Sequence, residues 1–317
     1  MHTRTLLVYG WYGRGNIGDE LMKYALTQLF TAQGVNLNFV DKITAAELKT
    51  SHGVLFGGGS ILAGAPEITN EALSALHAQV IPIFYVGVGN ETSVHPIHAK
   101  LLDIAALVKY REIDILDLAY SLQINESILT PRNEAQGILF IPNVETVPTH
   151  ASPHWNHIAW EKFKDEIAQT LDYFVDQQVP VSFMLMCKNN TMEDTWACFE
   201  LIARMRRRGW QKNVYTPTAE PATLCALLSK HRVVITQRYH GIILAEMSGV
   251  PYIAIEHHDK LKNVTPHRGH HISYYAFTKA QLIKSVEIAL ESLHIDPYCP
   301  PRNTYESIIK QIIELMR

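Results

Sequence analysis

No stretch of the 317-residue chain approaches the roughly 18 consecutive apolar residues of a membrane-spanning helix. Neither sign of charge is in excess. The 28 Lys and Arg residues face 31 Asp and Glu, a formal net charge of −3, so the broad basic footprint of a nucleic-acid binder is missing. Cysteine is scarce, with four residues at 187, 198, 225 and 299. None forms a CxxC pair, which removes a zinc knuckle and a dithiol redox centre. The apolar core of "MHTRTLLVYGWYG" is too short for a signal peptide and runs straight into a strand pattern. A reducing, cytoplasmic setting is the expectation. What is present is apolar material, 47% of residues, enough for real cores and against disorder. At about 150 residues per domain the length favours two domains.

Short apolar runs closed by glycine alternate with helical patterns. "TLLVYG" (5–10), "NLNFVD" (36–41), "HGVLFGGGS" (52–60) and "IPIFYVGVG" (81–89) read as buried strands. "DELMKYALTQLFTAQG" (19–34) carries Leu21, Met22, Ala25, Leu26, Leu29 and Phe30 at helical spacing, with Gly34 as a stop. After "TPRNEAQG" (130–137) the alternation restarts, with strands at 138–144, 179–187 and 231–237 and helices at 160–177 and 192–209. This predicts an α/β protein of two Rossmann-like domains with mostly parallel sheets. Their strand ends are expected to face a central cleft. The expected divisions are 1–135, an acceptor-side domain, and 136–299, a donor-side domain. Residues 300–317 form an amphipathic helix packing back across the halves.

"GWYGRGNIGDE" (10–20) holds Gly13-x-Gly15-x-x-Gly18 between a strand and a helix, with Asp41 closing the next strand. In form this is the dinucleotide fingerprint. Asp19 argues against it. A carboxylate at the start of the helix takes the N–H groups a pyrophosphate needs and repels its charge. A neutral hydroxylic ligand, or a reaction needing a carboxylate base, fits better. Whether Asp19 is a base or only a helix cap is left open. "FGGGS" (56–60) allows close backbone approach to a ligand at Gly58, Gly59 and Ser60, and equally makes turns.

"ITQRYHGIILAEMSGVPYIAI" (235–255) sets Arg238, Tyr239 and His240 in the turn between a strand and a helix. A group bound there meets free helical N–H donors, the positive end of the helix dipole and a guanidinium that forks onto carboxylate or phosphate. The imidazole exchanges protons near neutral pH. Gly241 keeps the backbone bare for an approaching anion. The competing role for the pair is an Arg–carboxylate bridge and a satisfied core histidine.

"GNIGDE", "FGGGS" and "QRYHGIILAEMSGVPYIAI" followed by "DK" (259–260) come in an order that resembles the polysaccharide pyruvyltransferase family, over residues 6–262. The resemblance implies a GT-B-like pair of Rossmann-like domains. It implies phosphoenolpyruvate as donor substrate, no further cofactor, and a sugar acceptor, lipid- or nucleotide-linked, in the making of a cell-surface polysaccharide. Two sugar hydroxyls would become a cyclic pyruvate ketal with release of phosphate. On that pattern His240 and Asp19 stand at catalytic positions, and Arg238, Tyr239, Gly241 and Arg111 on the donor. Asn16, Gly18, Gly58, Gly59 and Ser60 stand in the acceptor cleft. Two stretches depart from it. The family's Arg-Asp-x-x-Ser segment is here "YREIDILDLAYSL" (110–122), which leaves the part of Arg111 open. The aromatic before its Asp-Lys is here His258. A nucleotide-sugar glycosyltransferase and a non-catalytic glycan- or nucleotide-binding protein are the alternatives on one architecture.

Other features carry less. "RMRRR" (204–208) could touch anionic lipid at the inner face of the membrane, and as readily is a solvated helix end. "HHD" (257–259) and "HRGHH" (267–271) could bind metal. Adjacent histidines cannot both point into one site from a strand, so no metal is expected. The second stretch could also gate the cleft. Oligomeric state and the identity of the sugar are not readable.

Overall fold

In the computed structural model the described residues are 4–91, 93–143, 154–189, 192–207, 213–257, 259–262, 264, 268–292, 295–301 and 303–316. The chain divides into two compact units. Met1–Arg14, Asp19–Gln123 and Cys299–Arg317 form the first; Gly15–Gly18 and Ile124–Tyr298 form the second.

In the first unit, β1 (Arg4–Tyr9), α1 (Ile17–Thr31), β2 (Val35–Val40), α2 (Ala45–Lys49), β3 (Val54–Gly59), α3 (Asn70–His77), β4 (Ile83–Val88), α4 (Pro96–Leu102) and β5 (Leu107–Tyr110) follow in turn. The strands are all parallel, in the order β2-β1-β3-β4-β5. β3 and β4 are buried along their whole length, as interior strands of a sheet covered on both faces must be. The stripe read on α1 is buried from Leu21 to Phe30. The chain's progress across this sheet reverses between β1 and β3. Ligands of such sheets bind beyond the carboxyl ends of the strands at that point.

In the second unit, β6 (Ile138–Ile141), α5 (His154–Asp176), β7 (Val181–Met184), β8 (Lys188–Asn189), β9 (Met192–Glu193), α6 (Asp194–Arg204) and β10 (Val214–Tyr215) come first. They are followed by α7 (Pro221–Ser229), β11 (Val233–Thr236), α8 (Tyr239–Met247), β12 (Tyr252–Glu256), α9 (Asp259–Lys262), β13 (His270–Ser273) and α10 (Lys279–Glu291). The main sheet is parallel in the order β10-β7-β6-β11-β12-β13. Counted within this sheet alone the order is 3-2-1-4-5-6, the Rossmann order, with its reversal between β6 and β11. Helix α8 is buried from Gly241 to Met247, apolar on all sides as a central helix is.

The breaker-rich stretch at 130–137 packs inside the second unit, where Thr130 N–H donates to Ser229 Oγ at 2.9 Å and Arg132 Nη2 to the Ala289 carbonyl at 3.3 Å. The last helix, α11 (Asn303–Leu315), belongs to the first unit. Tyr305 donates its hydroxyl to the Asp117 carbonyl at 3.1 Å, and Arg4 donates to the Ile313 carbonyl at 2.8 Å. No helix among the described residues is long and apolar enough to cross a membrane.

Candidate functional site

At the reversal point of the second sheet, a polar layer sits beyond the carboxyl ends of β6, β11 and β12. Gln237 is fully buried. Its Oε1 accepts from the Asn143 amide at 3.1 Å, and its own amide donates to the Ile141 carbonyl at 3.0 Å. Asn143 Nδ2 lies 3.0 Å from His257 Nε2. These bonds join the loops after three strands across the point where the sheet reverses.

Arg238 is the N-cap of α8, in extended backbone with φ −104°. Thr236 fixes it: Oγ1 accepts the Arg238 amide at 2.9 Å and donates to the Arg238 carbonyl at 3.1 Å. The missing Cβ of Gly241 is also explained by Thr236, because a Cβ there would lie 2.3 Å from Oγ1. Sequence reading assigned that space to an anion; in the structure it lets α8 start directly above the end of β11.

The Arg238 guanidinium donates to Asp194, a residue the sequence reading did not single out. Asp194 opens α6 and is fully buried. Its Oδ2 accepts from the Met186 and Cys187 amides at 3.1 and 3.0 Å, while Oδ1 takes Arg238. A buried carboxylate needs such compensation, and here it comes from one cation and two backbone N–H groups. Its partners lie 7, 8 and 44 residues away, and only an acidic residue at a helix start hints at it in the sequence.

The same strand end holds the glycine loop. The Ile17 amide donates to the Met186 carbonyl at 2.8 Å, Lys188 to the Gly15 carbonyl at 3.0 Å, and Asn16 bridges Cys187. Asn16 Oδ1 accepts the Gly18 amide at 3.1 Å. Asn16 is therefore the side chain that caps α1, the part considered for Asp19, because it lies just before the first helical residue. The imidazole of His240 rests on Gly18: a Cβ there would fall 2.1 Å from Nδ1. Tyr239 meets the same ring edge-on, with centroids 5.2 Å apart. Asn16, Gly18, Arg238, Tyr239, His240 and Gly241 are thus brought together in the second unit.

Asp19, Gly58, Gly59, Ser60 and Arg111 lie in the first unit. Asp19 is the third residue of α1, 8% exposed. A Cβ on Gly59 would lie 3.1 Å from its Oδ1, and Gly58 and Gly59 have φ of 71° and 80°. Left-handed backbone there suits glycine and lets the end of β3 pass close to α1. Tyr12 lies under this turn, its hydroxyl donating to the Gly57 carbonyl at 2.5 Å. Burial pushes the Tyr12 phenol well above its ordinary range, and the charges of Asp19, Asp117 and Glu20 add to that. Arg111 and Asp117 form a buried pair at 3.2 Å. Arg111 Nη2, Ser60 Oγ and Glu91 Oε1 surround Gly89, at 3.4, 3.5 and 3.6 Å from where its Cβ would stand. This cluster lies beyond the carboxyl ends of β3, β4 and β5.

Among the described residues no group of three or more His, Cys, Asp or Glu could hold a metal ion. His258, His267 and Arg208 lie outside the described residues. His271 is bonded through Nδ1 to Glu256 at 2.8 Å. Arg204 pairs with Asp165, Arg206 with Asp172 at 3.7 Å and Arg207 with Asp176 at 2.7 Å, so this run is met by carboxylates of α5. Cys187 is buried at the end of β7; burial pushes the Cys198 thiol up to about 12, far from a thiolate nucleophile.

No curated protein matches the sequence. Among solved structures, the UDP-GlcNAc 2-epimerase of Methanocaldococcus jannaschii, in complex with UDP-GlcNAc and UDP, is similar at TM-score 0.58 and 11% identity, over 98% of this chain and 99% of that one. The Neisseria meningitidis UDP-GlcNAc 2-epimerase bound to UDP-GlcNAc gives 0.54 and 11%, over 98% and 100%. An alpha-glucosyltransferase in complex with UDP and a DNA 13-mer gives 0.51 and 8%, over 99% and 95%. These likenesses show the fold: two parallel-sheet α/β units of the GT-B class. The model of the family described as "Polysaccharide pyruvyl transferase" matches residues 115–259, the segment carrying Asp194, Arg238, Tyr239 and His240. Over that segment the chain matches the polysaccharide pyruvyl transferase family, the one its ordered motifs resemble.

Proposed function

We propose that this protein is a pyruvyltransferase that moves the pyruvyl group of phosphoenolpyruvate onto two hydroxyls of a sugar in a cell-surface polysaccharide or its precursor. The observation that carries the reading is the family match over a segment in which Arg238 and His240 stand together at the start of α8. Phosphoenolpyruvate is an anion at both ends. A guanidinium and the start of a buried helix suit its phosphate or carboxylate.

The chemistry needs a proton delivered to the methylene carbon, which leaves an oxocarbenium-like centre at C2. One sugar hydroxyl attacks C2 and loses its proton; phosphate departs; the second hydroxyl closes the ring. Of the two hydroxyl protons, one balances that given to the methyl carbon and one leaves with phosphate. His240 is the proposed proton carrier for the methylene step. Asp19 is the proposed base or orienting group for the acceptor, Ser60, Gly58 and Gly59 are proposed on the acceptor side, and Arg111 is proposed on the donor. The proposed setting is the cytoplasm, at the inner face of the membrane where lipid-linked acceptors lie.

The test is release of inorganic phosphate from phosphoenolpyruvate that depends on a glycan acceptor, with mass spectrometry of the acceptor. Acceptor-dependent release with a pyruvyl ketal on the acceptor supports the reading. Transfer of a sugar from a UDP-sugar, with phosphoenolpyruvate inert, would replace it by the glycosyltransferase alternative.

A further inference from the structure

Arg238 and His240 do not hold their positions alone. Asp194 uses one carboxylate oxygen on Arg238 and the other on the amides of Met186 and Cys187. Residues 186–188 in turn hold Gly15–Ile17 through the Ile17–Met186 and Lys188–Gly15 bonds of 2.8 and 3.0 Å. Gly18 follows immediately, and His240 lies on it with no room for a Cβ. A single carboxylate therefore stands at the root of two chains of contacts. One leads directly to the guanidinium, the other through a strand end and the glycine loop to the imidazole.

We infer that Asp194 is the positioning residue of this site: its charge orients Arg238 for the donor, and its two amide bonds set the loop on which His240 is seated. The inference rests on the proposed pyruvyl transfer for its donor half and for the kcat readout at Gly18, and the loop coupling is independent of it. Asp194 spreads its negative charge over the Arg238 guanidinium and the Met186 and Cys187 amides, which softens its repulsion of an incoming anion. It also fixes the guanidinium before the donor arrives, so less side-chain freedom is lost on binding. Gly18 is the complementary device on the loop. No left-handed φ marks it, so its backbone accepts alanine, and the three atoms nearest to an added methyl group all belong to the His240 ring.

Two variants separate the halves. Asp194→Asn keeps an oxygen for the two amides but turns an N–H₂ toward Arg238. The dissociation constant for phosphoenolpyruvate, by titration calorimetry, should rise at least ~10-fold, the scale of one charge-assisted bond. Hydrogen exchange at the Ile17 amide should stay as slow as in the unmodified protein. Asp194→Ala should weaken donor binding and also speed Ile17 exchange. Gly18→Ala should leave the donor's dissociation constant within about twofold and lower kcat at least ~10-fold, because the ring moves and the guanidinium does not.

Wild-type donor affinity in Asp194→Asn overturns the charge role. Unchanged Ile17 exchange in Asp194→Ala overturns the loop coupling. Wild-type kcat in Gly18→Ala overturns the seating of His240, and that variant tests the histidine's seat by itself if Asp194→Asn does not fold. If the unmodified protein itself does not bind phosphoenolpyruvate, the proposed function falls and the donor half with it. The Ile17 readout then judges the loop coupling by itself.

Discussion

Arg238 and His240 stand two residues apart, yet their surroundings assign them different work. Arg238 is 9% exposed and ion-paired with Asp194; His240 is half-buried against Gly18. Arg238→Lys keeps a cation but loses the planar fork, so donor affinity should weaken while the fold survives. His240→Gln should leave donor binding largely intact and lower kcat by ~10²–10⁴, the range for a lost general acid or base. Calorimetry with phosphoenolpyruvate and a phosphate-release assay read both, and wild-type turnover in His240→Gln would remove its catalytic role. Asp19 now has a sharper test than the sequence offered. Because Asn16 makes the cap bond, Asp19→Asn should keep the melting temperature, and loss of turnover would then report the carboxylate's chemistry. Full turnover in that variant would leave Asp19 a packing residue beside Gly59.

At the scale of elements, α8 shows how a single contact fixes a turn. Gly241→Ala places a methyl group on Thr236 Oγ1, and Thr236 is the hydroxyl that holds Arg238 at both its amide and its carbonyl. We expect a loss of about 1–3 kcal/mol in chemical denaturation, the cost of overpacking a tight site. Donor binding should weaken too; a variant as stable as the parent would show that α8 can shift freely. Much of this architecture was legible in advance. The apolar runs ending at glycine became β1, β3 and β4, and the stripe on 19–34 became α1, because burial on both faces writes itself as composition. β13 was not legible. "HHIS" lacks an apolar pattern, and the strand exists through its parallel pairing with β12. The candidate residues at 238–241 were legible from a strand-to-helix turn. Asp194 was not, since its importance lies in partners distant along the chain. Gly241 was noticed, but what fills the space beside it is a neighbouring hydroxyl that only the fold brings there.

For the molecule as a whole, one buried group sets a pH limit. His98 is enclosed in the first unit beside Tyr85, with Tyr85 Oη 2.9 Å from Nδ1. Burial lowers its pKa to about 4, helped by the nearby His95. In the unfolded chain the imidazole takes a proton near pH 6.5. Between those values the unfolded state binds more protons than the folded one, so this group makes stability fall as pH drops from about 6.5 to about 4 and has no effect above. His98→Gln keeps a partner for Tyr85 and cannot titrate. Its melting temperature should change less between about pH 7.5 and about pH 5 than that of the parent. An equal change in both would mean that His98 is not the group responsible.

The four residues Gly15–Gly18 belong with the second unit although the chain on either side of them belongs with the first. The second unit is therefore not a continuous length of sequence. A half cut out at residues 124–298 would arrive without the segment on which its own histidine lies. Exchange of residues 124–298 for those of a relative would seat the incoming histidine at position 240 on a loop from another chain. Residues 15–18 and 240 are therefore expected to change together, and a side chain at position 18 would act as a defect of the second unit although it lies more than 200 residues before His240.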